Sequence, residues 1–209
     1  MTITWFGLSS FKIVGKDLTL ITDPFGKESG LAPVRGGADV VVCSNPQNPL
    51  SNNFSSISGE PFVITGPGEY DVKGAFIIGI ASVSKESVAS TIFSIEVEDI
   101  RIAFLGLTKQ APLTEQQKEA LEGADMVLIP AGNKEALGFE DAAKIATQLE
   151  PFIVIPHSYK IAGLAGNFDK LDKFLQEMGG KHQELDKLTL KKKDLNGEST
   201  DLIVLTAQR

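Results

Sequence analysis

Two histidines, His157 and His182, set the first limit on the chemistry of this 209-residue chain. Imidazole is the commonest metal ligand among side chains and a frequent general base. A mechanism that needs three or four histidines therefore cannot be carried by this sequence. His157 stands at the end of an apolar run, where we expect backbone groups to satisfy its ring. His182 follows Gly179-Gly180 in a polar turn, and we expect it to be exposed.

A serine or cysteine nucleophile finds weak support in the sequence. A serine needs a base within hydrogen-bonding reach, and His157 is adjacent to Ser158, an arrangement that rarely gives the required geometry. Cys43 ends a short apolar run and is therefore more typical of a core residue than of a nucleophile. Serine hydrolysis and cysteine chemistry are both minor alternatives.

Two acidic residues stand in turn-like motifs. Asp23, within Thr22-Asp-Pro-Phe25, is expected to cap a turn rather than to act on a substrate. Glu69 lies in Gly66-Pro-Gly-Glu-Tyr70, which predicts a tight turn between two strands with the carboxylate bonding backbone amides. A loop that presents Glu69 to a ligand is the alternative.

The elements that position these side chains are many short strands, followed by helices that alternate with strands. Apolar and β-branched runs predict strands at residues 3–6, 10–14, 18–22, 40–43, 61–65, 75–80, 91–97, 100–105, 126–129, 152–155, 188–192 and 202–206. Tight turns are predicted at 15–17 and 98–99. Such a pattern is typical of packed sheets with helices outside.

Three helices are predicted in the second half of the chain. The spacing of Thr114 and Gln117 matches a capping box and predicts a helix that ends near residue 123. Apolar residues at helical spacing predict a second helix over residues 139–149, which Pro151 ends. Asn167 is expected to cap a third helix, which Gly179-Gly180 ends.

Composition and charge exclude several classes of protein. The chain is 42% hydrophobic and 22% charged, which is typical of a globular protein, and we expect one domain over residues 1–209. A net charge of −7 disfavours nucleic acid as a partner. No apolar run approaches the roughly 20 residues of a membrane span, and no secretory signal stands at the N-terminus. The single cysteine indicates a cytoplasmic protein.

Several motifs, taken in order, resemble those of the metallo-β-lactamase superfamily. The resemblance is closest to its branch of small bacterial metal-dependent hydrolases, related to the ascorbate-6-phosphate lactonases. It covers nearly the whole chain and rests on the order and spacing of residues 3–13 (ITWFGLSSFKI), 20–25 (LITDPF), 38–44 (ADVVVCS), 66–74 (GPGEYDVKG), 100–106 (IRIAFLG), 127–132 (VLIPAG) and 149–156 (LEPFIVIP).

The resemblance implies a fold and a chemistry. The implied fold is an α/β protein, a four-layer α/β/β/α sandwich with the site between the sheet edges. The implied chemistry needs a metal cluster, whose ligands are a His-x-His-x-Asp-His loop, a further histidine, a bridging aspartate and a last histidine. Such a cluster lowers the pKa of a bound water and supplies hydroxide near neutral pH.

The positions that match these ligands hold other residues here. The histidine that normally follows Gly7 in the first family motif is Leu8. The seven presumptive ligand positions are occupied by Asn45, Gln47, Pro49, Leu50, Ser84, Leu107 and Ser158. Proline and leucine offer no donor atom, and neutral amide oxygens are weak ligands for zinc. His157 stands one residue before the expected last ligand, and a shift of one residue in a strand turns a side chain to the other face.

We interpret the chain as a degenerate member of the superfamily, a pseudoenzyme without catalytic residues, metal or other cofactor. The joint replacement of histidine and aspartate supports this interpretation, because losing one ligand alone would leave costly unpaired charge in a pocket. A binding, scaffolding or regulatory role follows. We expect a cleft lined by Asn45, Gln47, Leu50, Leu107 and Ser158. The amides of the polar 44–58 loop could bind a small polar ligand, and an ordinary surface loop is the alternative.

Two alternatives remain open at the level of sequence. The chain could be a hydrolase that acts through a relocated or metal-free site, with at least one strongly perturbed titratable group in a polar pocket. It could be an assembly component, either with a protein partner or as a homo-oligomer.

The short basic run at 191–193 is expected to be a solvated strand edge rather than a nucleic-acid patch.

Overall fold

Strands hold more of the described chain than helices do. The computed structural model describes residues 1–83, 88–197 and 199–208. The strands are β1 (Thr2–Gly7), β2 (Ser10–Val14), β3 (Thr19–Thr22), β4 (Gly36–Gly37), β5 (Val40–Val42), β6 (Ile57–Ser58), β7 (Phe62–Ile64), β8 (Gly68–Val72), β9 (Ala75–Val83), β10 (Ala89–Val97), β11 (Ile100–Phe104), β12 (Met126–Pro130), β13 (Ile153–His157), β14 (Gln183–Leu185), β15 (Leu188–Thr189) and β16 (Asp201–Leu205).

Two large sheets face each other. The six-stranded sheet has the order β15-β1-β2-β3-β5-β7, and the eight-stranded sheet has the order β14-β16-β13-β12-β11-β10-β9-β8. A buried apolar cluster fills the space between them and includes Trp5, Phe11, Phe93 and Phe104. The predicted hairpins are confirmed: β2 pairs with β3 and β10 pairs with β11, both antiparallel.

Three α-helices cover the outer face of the eight-stranded sheet. They are α1 (Glu115–Leu121), α2 (Phe139–Leu149) and α3 (Asp172–Glu177). The predicted capping box begins α1, since Thr114 Oγ1 accepts from the Gln117 N–H and Gln117 Oε1 accepts from the Thr114 N–H. The third helix begins later than predicted, at Asp172.

Loops cover the outer face of the six-stranded sheet. Its apolar residues Ile21 and Val41 form one cluster with residues of those loops, among them Phe25, Leu31 and Leu50. Two short 3-10 helices, Lys27–Ser29 and Phe54–Ser56, lie within the loops. The four-layer sandwich is therefore confirmed, with one outer layer built of α-helices and the other of loops and 3-10 turns.

Two predicted elements differ from the structure. Residues 68–72 form β8, an edge strand paired with β9, and not a turn. The predicted strand at 188–192 is shorter, because β15 ends at Thr189 and a 3-10 helix occupies Lys192–Asp194.

No helix of the described residues is long and apolar enough to cross a membrane.

Candidate functional site

A cleft of about 550 Å³ opens where loops from both sheets meet. The 45–50 loop leaves β5 of the six-stranded sheet, Leu107 follows β11 of the eight-stranded sheet, and Asn133 follows β12. Since β11 and β12 are parallel neighbours, the chain leaves both at the same edge of the sheet, the usual place of ligand sites in such sheets. Five of the presumptive ligand positions line the cleft: Asn45, Gln47, Pro49, Leu50 and Leu107.

The expected cleft is incomplete in one respect. Ser158 is fully buried at the end of β13 and is not among the residues that line the cleft. Leu8, at the position of the first-motif histidine, is also buried, and its carbonyl accepts from the Ser158 N–H. Ser84 lies outside the described residues.

The amide side chains of the cleft support its loops. Asn45 Oδ1 accepts from the Gln47 N–H at 3.1 Å, and Asn48 Oδ1 accepts from the Leu50 N–H at 2.9 Å. On the opposite wall, Asn133 Oδ1 accepts from the Glu135 N–H at 2.9 Å. Each amide oxygen therefore already fixes a loop, which leaves the amide oxygens poorly placed to become metal ligands.

The charged side chains among the described lining residues are of one sign. Glu28 and Glu135 are exposed carboxylates of the lining, and this described part of the lining contains no lysine, arginine or histidine. The carboxylate of Glu28 attracts positively charged molecules and repels anions.

The family's two-metal centre does not fit the residues present. Zinc and iron in such centres are held by imidazole, thiolate and carboxylate groups, and the matched positions in the cleft hold amides, leucine and proline. No group of three or more histidine, cysteine, aspartate or glutamate residues is placed to hold a metal ion within residues 1–83, 88–197 and 199–208. The donor set of this cleft is thus that of a polar binding site.

A buried carboxylate supports the floor of the cleft. Asp23 Oδ1 accepts from the Ser44 N–H at 2.6 Å and Oδ2 accepts from the Ser44 hydroxyl at 2.7 Å. The same hydroxyl oxygen accepts from the Leu107 N–H at 3.1 Å. Asp23 therefore joins the ends of β3, β5 and β11, rather than capping a local turn. Burial raises the pKa of Asp23 to about 7, and the hydrogen bonds from Ser44 act in the opposite direction.

His157 lies in the core and not in the cleft. Its ring contacts Phe11 and Phe104, with ring centroids 5.6 and 6.1 Å away. Burial lowers its pKa to about 3, so the imidazole is neutral. Neither His157 nor Ser158 is among the residues that line the cleft.

The expectation that adjacent His157 and Ser158 do not interact is wrong. Their side chains are hydrogen-bonded, with Nδ1 and Oγ 2.9 Å apart. Ser158 adopts a positive φ of 54°, a conformation that brings its hydroxyl back towards the preceding ring. Both residues are fully buried, so the pair has no access to a substrate. Nε2 has no partner within hydrogen-bonding geometry among the described residues, but the Leu128 backbone lies close enough to act on the ring and partly offsets the effect of burial on its pKa.

The remaining reactive side chains are also accounted for. Cys43 is fully buried, its thiol donates to the Ser51 carbonyl, and burial raises its pKa. His182 is exposed, as predicted, and its Nδ1 lies 3.1 Å from the Gly180 carbonyl. Glu69 is exposed on β8, far along the sheet from the cleft.

A larger cavity of about 870 Å³ lies elsewhere in the molecule. Trp5, Leu31, Tyr159, Ile161 and Leu205 are among its lining residues, and it includes none of the presumptive ligand positions. We therefore assign the functional site to the smaller cleft, where the loops of both sheets meet.

A family model described as the beta-lactamase superfamily domain matches residues 2–158. The chain belongs to the metallo-β-lactamase superfamily. No curated protein matches the chain.

Solved structures of this superfamily have the same fold. A candidate Zn-dependent hydrolase from Thermotoga maritima is 29% identical, with a TM-score of 0.82 over 98% of this chain and 97% of that one. A metallo hydrolase from Ignicoccus hospitalis is 14% identical, with a TM-score of 0.66 over 100% of this chain and 96% of that one. A candidate metal-dependent hydrolase from Parabacteroides distasonis is 14% identical, with a TM-score of 0.65 over 99% and 93% of the two chains.

Sequence reasoning missed one wall of this metallo-β-lactamase cleft. Glu28, Asn133 and Glu135 do not stand at ligand positions of the superfamily, so the resemblance gave no reason to select them. A signal did exist for Asn133, since Gly132-Asn133 directly follows the apolar run of β12, and polar residues at such strand ends often line sites.

Proposed function

We propose that this protein is a non-catalytic member of the superfamily that binds a small polar ligand in the cleft between the 45–50 loop and Asn133. One observation carries the proposal: five of the seven positions that match metal ligands come together in one cleft, but they hold side chains that are poorly suited to retain a metal pair. The geometry of a binding site is present without the chemistry of the superfamily's hydrolases.

The ligand that fits this cleft is neutral or positively charged. Amide groups offer both donors and acceptors to hydroxyl and amine groups, and the exposed Glu28 carboxylate adds attraction for a cation. A polyhydroxyl compound or an amine meets these conditions. A phosphate ester does not, since the described lining holds no cation to pair with it.

The proposal is tested by titrating the protein with panels of polyols, amines and phosphate esters, followed by calorimetry of each compound that raises the melting temperature. We expect Gln47→Ala to weaken binding about tenfold, which corresponds to one lost hydrogen-bonding group of about 1.4 kcal/mol. Gln148→Ala removes a similarly exposed glutamine from α2 and should leave binding unchanged.

Charge is tested separately from hydrogen bonding. Glu28→Gln should weaken the binding of an amine and leave that of a polyol unchanged, whereas Glu177→Gln, on α3, should affect neither. Binding of phosphate esters in preference to both other classes would contradict the proposed ligand class.

A hydrolase with a relocated or metal-free site is the alternative. It needs a perturbed titratable group that a substrate can reach, but Asp23 and His157, which have strongly shifted pKa values, are both fully buried. Hydrolysis of a lactone or phosphodiester by the purified protein would restore this alternative.

The proposal includes two further statements about the protein. We take residues 1–209 to be one domain, which the continuous strand order of both large sheets supports. We also place the protein in the cytoplasm, because its one cysteine is a buried free thiol. A role in scaffolding or as a homo-oligomer is compatible with ligand binding in the cleft.

A further inference from the structure

An open sheet edge lies on one side of the sandwich, away from the cleft. β7 and β8 stand at the ends of their respective sheets, so neither has a strand partner on its outer side among the described residues. The two edges lie side by side, because Phe62 of β7 contacts Tyr70 of β8 with ring centroids 6.3 Å apart. An unpaired edge strand is a ready template for an additional strand.

Exposed apolar side chains are concentrated at this edge. Phe62 is 51% exposed, Val63 is 37% exposed and Phe76 of the neighbouring β9 is 43% exposed. Val63 and Phe76 lie on the outer faces of their sheets, because their neighbours Phe62 and Ile77 face the core between the sheets. Exposed apolar side chains thus flank the edge on both faces, which indicates an interaction surface. Phe62 points into the opening between the sheets, on the same face as the buried Val40 with which it is paired.

The hairpin between β8 and β9 determines which backbone groups are free. Lys73 and Gly74 form its two-residue turn, with φ values of 49° and 79°, as a type I′ turn requires. The residues that flank this turn, Val72 and Ala75, are therefore a hydrogen-bonded pair. Since such pairs alternate along an antiparallel ladder, every second residue of β8, counted from Val72, bonds to β9. The N–H and C=O groups of Glu69 and Asp71 therefore point outward from the sheet.

The two faces of β8 differ in chemistry. Tyr70 and Val72 pack against the core between the sheets, whereas the side chains of Glu69 and Asp71 are exposed on the outer face, opposite Ile78 and Phe76. Directly opposed residues of neighbouring strands place their side chains on the same face. An added strand would thus meet acidic groups on one face and apolar groups on the other.

We propose that β8 is the docking site of an extended, basic peptide segment of a partner protein, in which lysine or arginine alternates with apolar residues. The basic side chains lie beside Glu69 and Asp71, and the apolar ones cover Tyr70 and Phe62. The main chain of the segment bonds to the outward groups of Glu69 and Asp71, as in other cases of strand addition. This surface is independent of the ligand cleft, so either proposal can fail alone.

Charge argues against a second copy of this chain as the occupant. Two β8 strands paired antiparallel about Tyr70 would place Glu69 of one copy opposite Asp71 of the other. Like charges directly opposite each other destabilise a strand pair, and the nearby Lys73 ammonium is already paired with Asp39 at 2.5 Å. A basic partner removes this repulsion.

The test uses fluorescently labelled peptides and anisotropy titrations of the full chain. The probe is a short capped peptide that alternates lysine and valine, and it is compared with a peptide of the same composition with lysines and valines in two blocks. We expect the block peptide to bind at least about tenfold more weakly, since it cannot match both faces at once. Equal binding of the two peptides would overturn the proposal.

A charge exchange identifies the surface. The double variant Glu69→Lys/Asp71→Lys should lose binding of the lysine–valine peptide and bind a glutamate–valine peptide instead. Glu119→Lys/Glu122→Lys, an equal change of charge at α1, should leave the binding of the lysine–valine peptide unchanged. An effect of equal size in both double variants, or in neither, would place the peptide elsewhere and overturn the proposal.

The apolar face is tested with a matched pair of exposed side chains. Phe62→Ser should weaken the lysine–valine peptide about tenfold, and Val14→Ser, at another exposed apolar position, should not. No measurable binding of the alternating peptide would overturn the proposal. The proposal would also be overturned if sedimentation showed that the unmodified chain is a dimer and that Phe62→Ser dissociates it. A second copy of the chain would then occupy the edge.

Discussion

At the scale of single residues, His157 is a histidine of the core that stands one residue before the position matching the superfamily's last metal ligand. Its ring is fully buried between Phe11 and Phe104, and its Nε2 has no hydrogen-bond partner in the described part of the chain. Such a ring is stable only when neutral, so protonation of His157 is coupled to unfolding.

Because of this coupling, the free energy of unfolding depends on pH, and the pKa shift of His157 gives the direction of that dependence. The pKa of His157 falls from 6.5 to about 3 on folding, so its contribution is fully present above pH 6.5 and is lost as the pH falls from 6.5 towards 3. Since one pKa unit corresponds to about 1.4 kcal/mol, the loss is at most about 5 kcal/mol. We expect the double variant His157→Leu/Ser158→Ala to lack this component.

Urea unfolding of both proteins between pH 7.5 and pH 4 measures the effect. The unfolding free energy of the unmodified protein should fall relative to that of the variant as the medium is acidified. A constant difference across this range would contradict the buried, neutral state of His157. The second substitution is included because the Ser158 hydroxyl would otherwise lose its partner.

Residue types also explain how much of the site was predictable. Leu, Pro, Asn and Gln at ligand positions can be read directly from the sequence, and so can the weakness of these groups as zinc ligands. The contact between His157 and Ser158 could not be predicted from the sequence. It is made with Ser158 at a positive φ, and no local motif indicates that conformation.

At the scale of elements, an ion pair between the half-exposed Lys192 and the buried Asp125 attaches the 3-10 helix Lys192–Asp194 to the start of β12. The Lys192 ammonium lies 2.7 Å from Asp125 Oδ2, and the Asp125 side chain is only 5% exposed. The same carboxylate accepts from the Arg101 N–H at 2.8 Å. The basic run at 191–193 is thus only in part the solvated edge that its sequence predicts.

Removal of this lysine should destabilise the protein. Lys192→Met leaves the buried Asp125 carboxylate without its cation, and we expect a loss of about 2 kcal/mol, reduced from the value for a fully buried pair because Lys192 is half exposed. Lys193→Met removes the same charge from the exposed neighbouring position and should change stability by less than about 0.5 kcal/mol. Chemical denaturation measures both, and equal effects would contradict the structural role of Lys192.

Local sequence signals predict elements well where neighbouring residues alone determine the backbone conformation. The capping box of α1 and the tight turn at 98–99 need only neighbouring residues. Gly66-Pro-Gly suggests a turn, so the sequence does not predict the edge strand β8. Its strand conformation depends on pairing with β9. The predicted cap at Asn167 is wrong because the neighbouring Phe168 forms a bridge with Asn133, a contact far away in sequence.

At the scale of the whole molecule, the superfamily's sandwich is retained, while five of the positions that match its metal ligands hold amides, leucine and proline. The core between the sheets and the loops that meet at the cleft need apolar residues, strand pairing and the Asp23–Ser44 contact, and none of these depends on a metal. The fold could therefore be predicted from motifs, but the identity of the ligand could not, because the new cleft lining has no counterpart in those motifs.

The measurement that tests the central claim most directly is elemental metal analysis of untagged protein, purified without chelator and then exposed to excess zinc and manganese. We expect no stoichiometric metal in the unmodified chain. We expect about one or two ions per chain in a variant that restores the cleft ligands, Asn45→His, Gln47→His, Pro49→Asp, Leu50→His and Leu107→Asp. One or two ions bound by the unmodified chain would contradict the claim that its metal site has been lost.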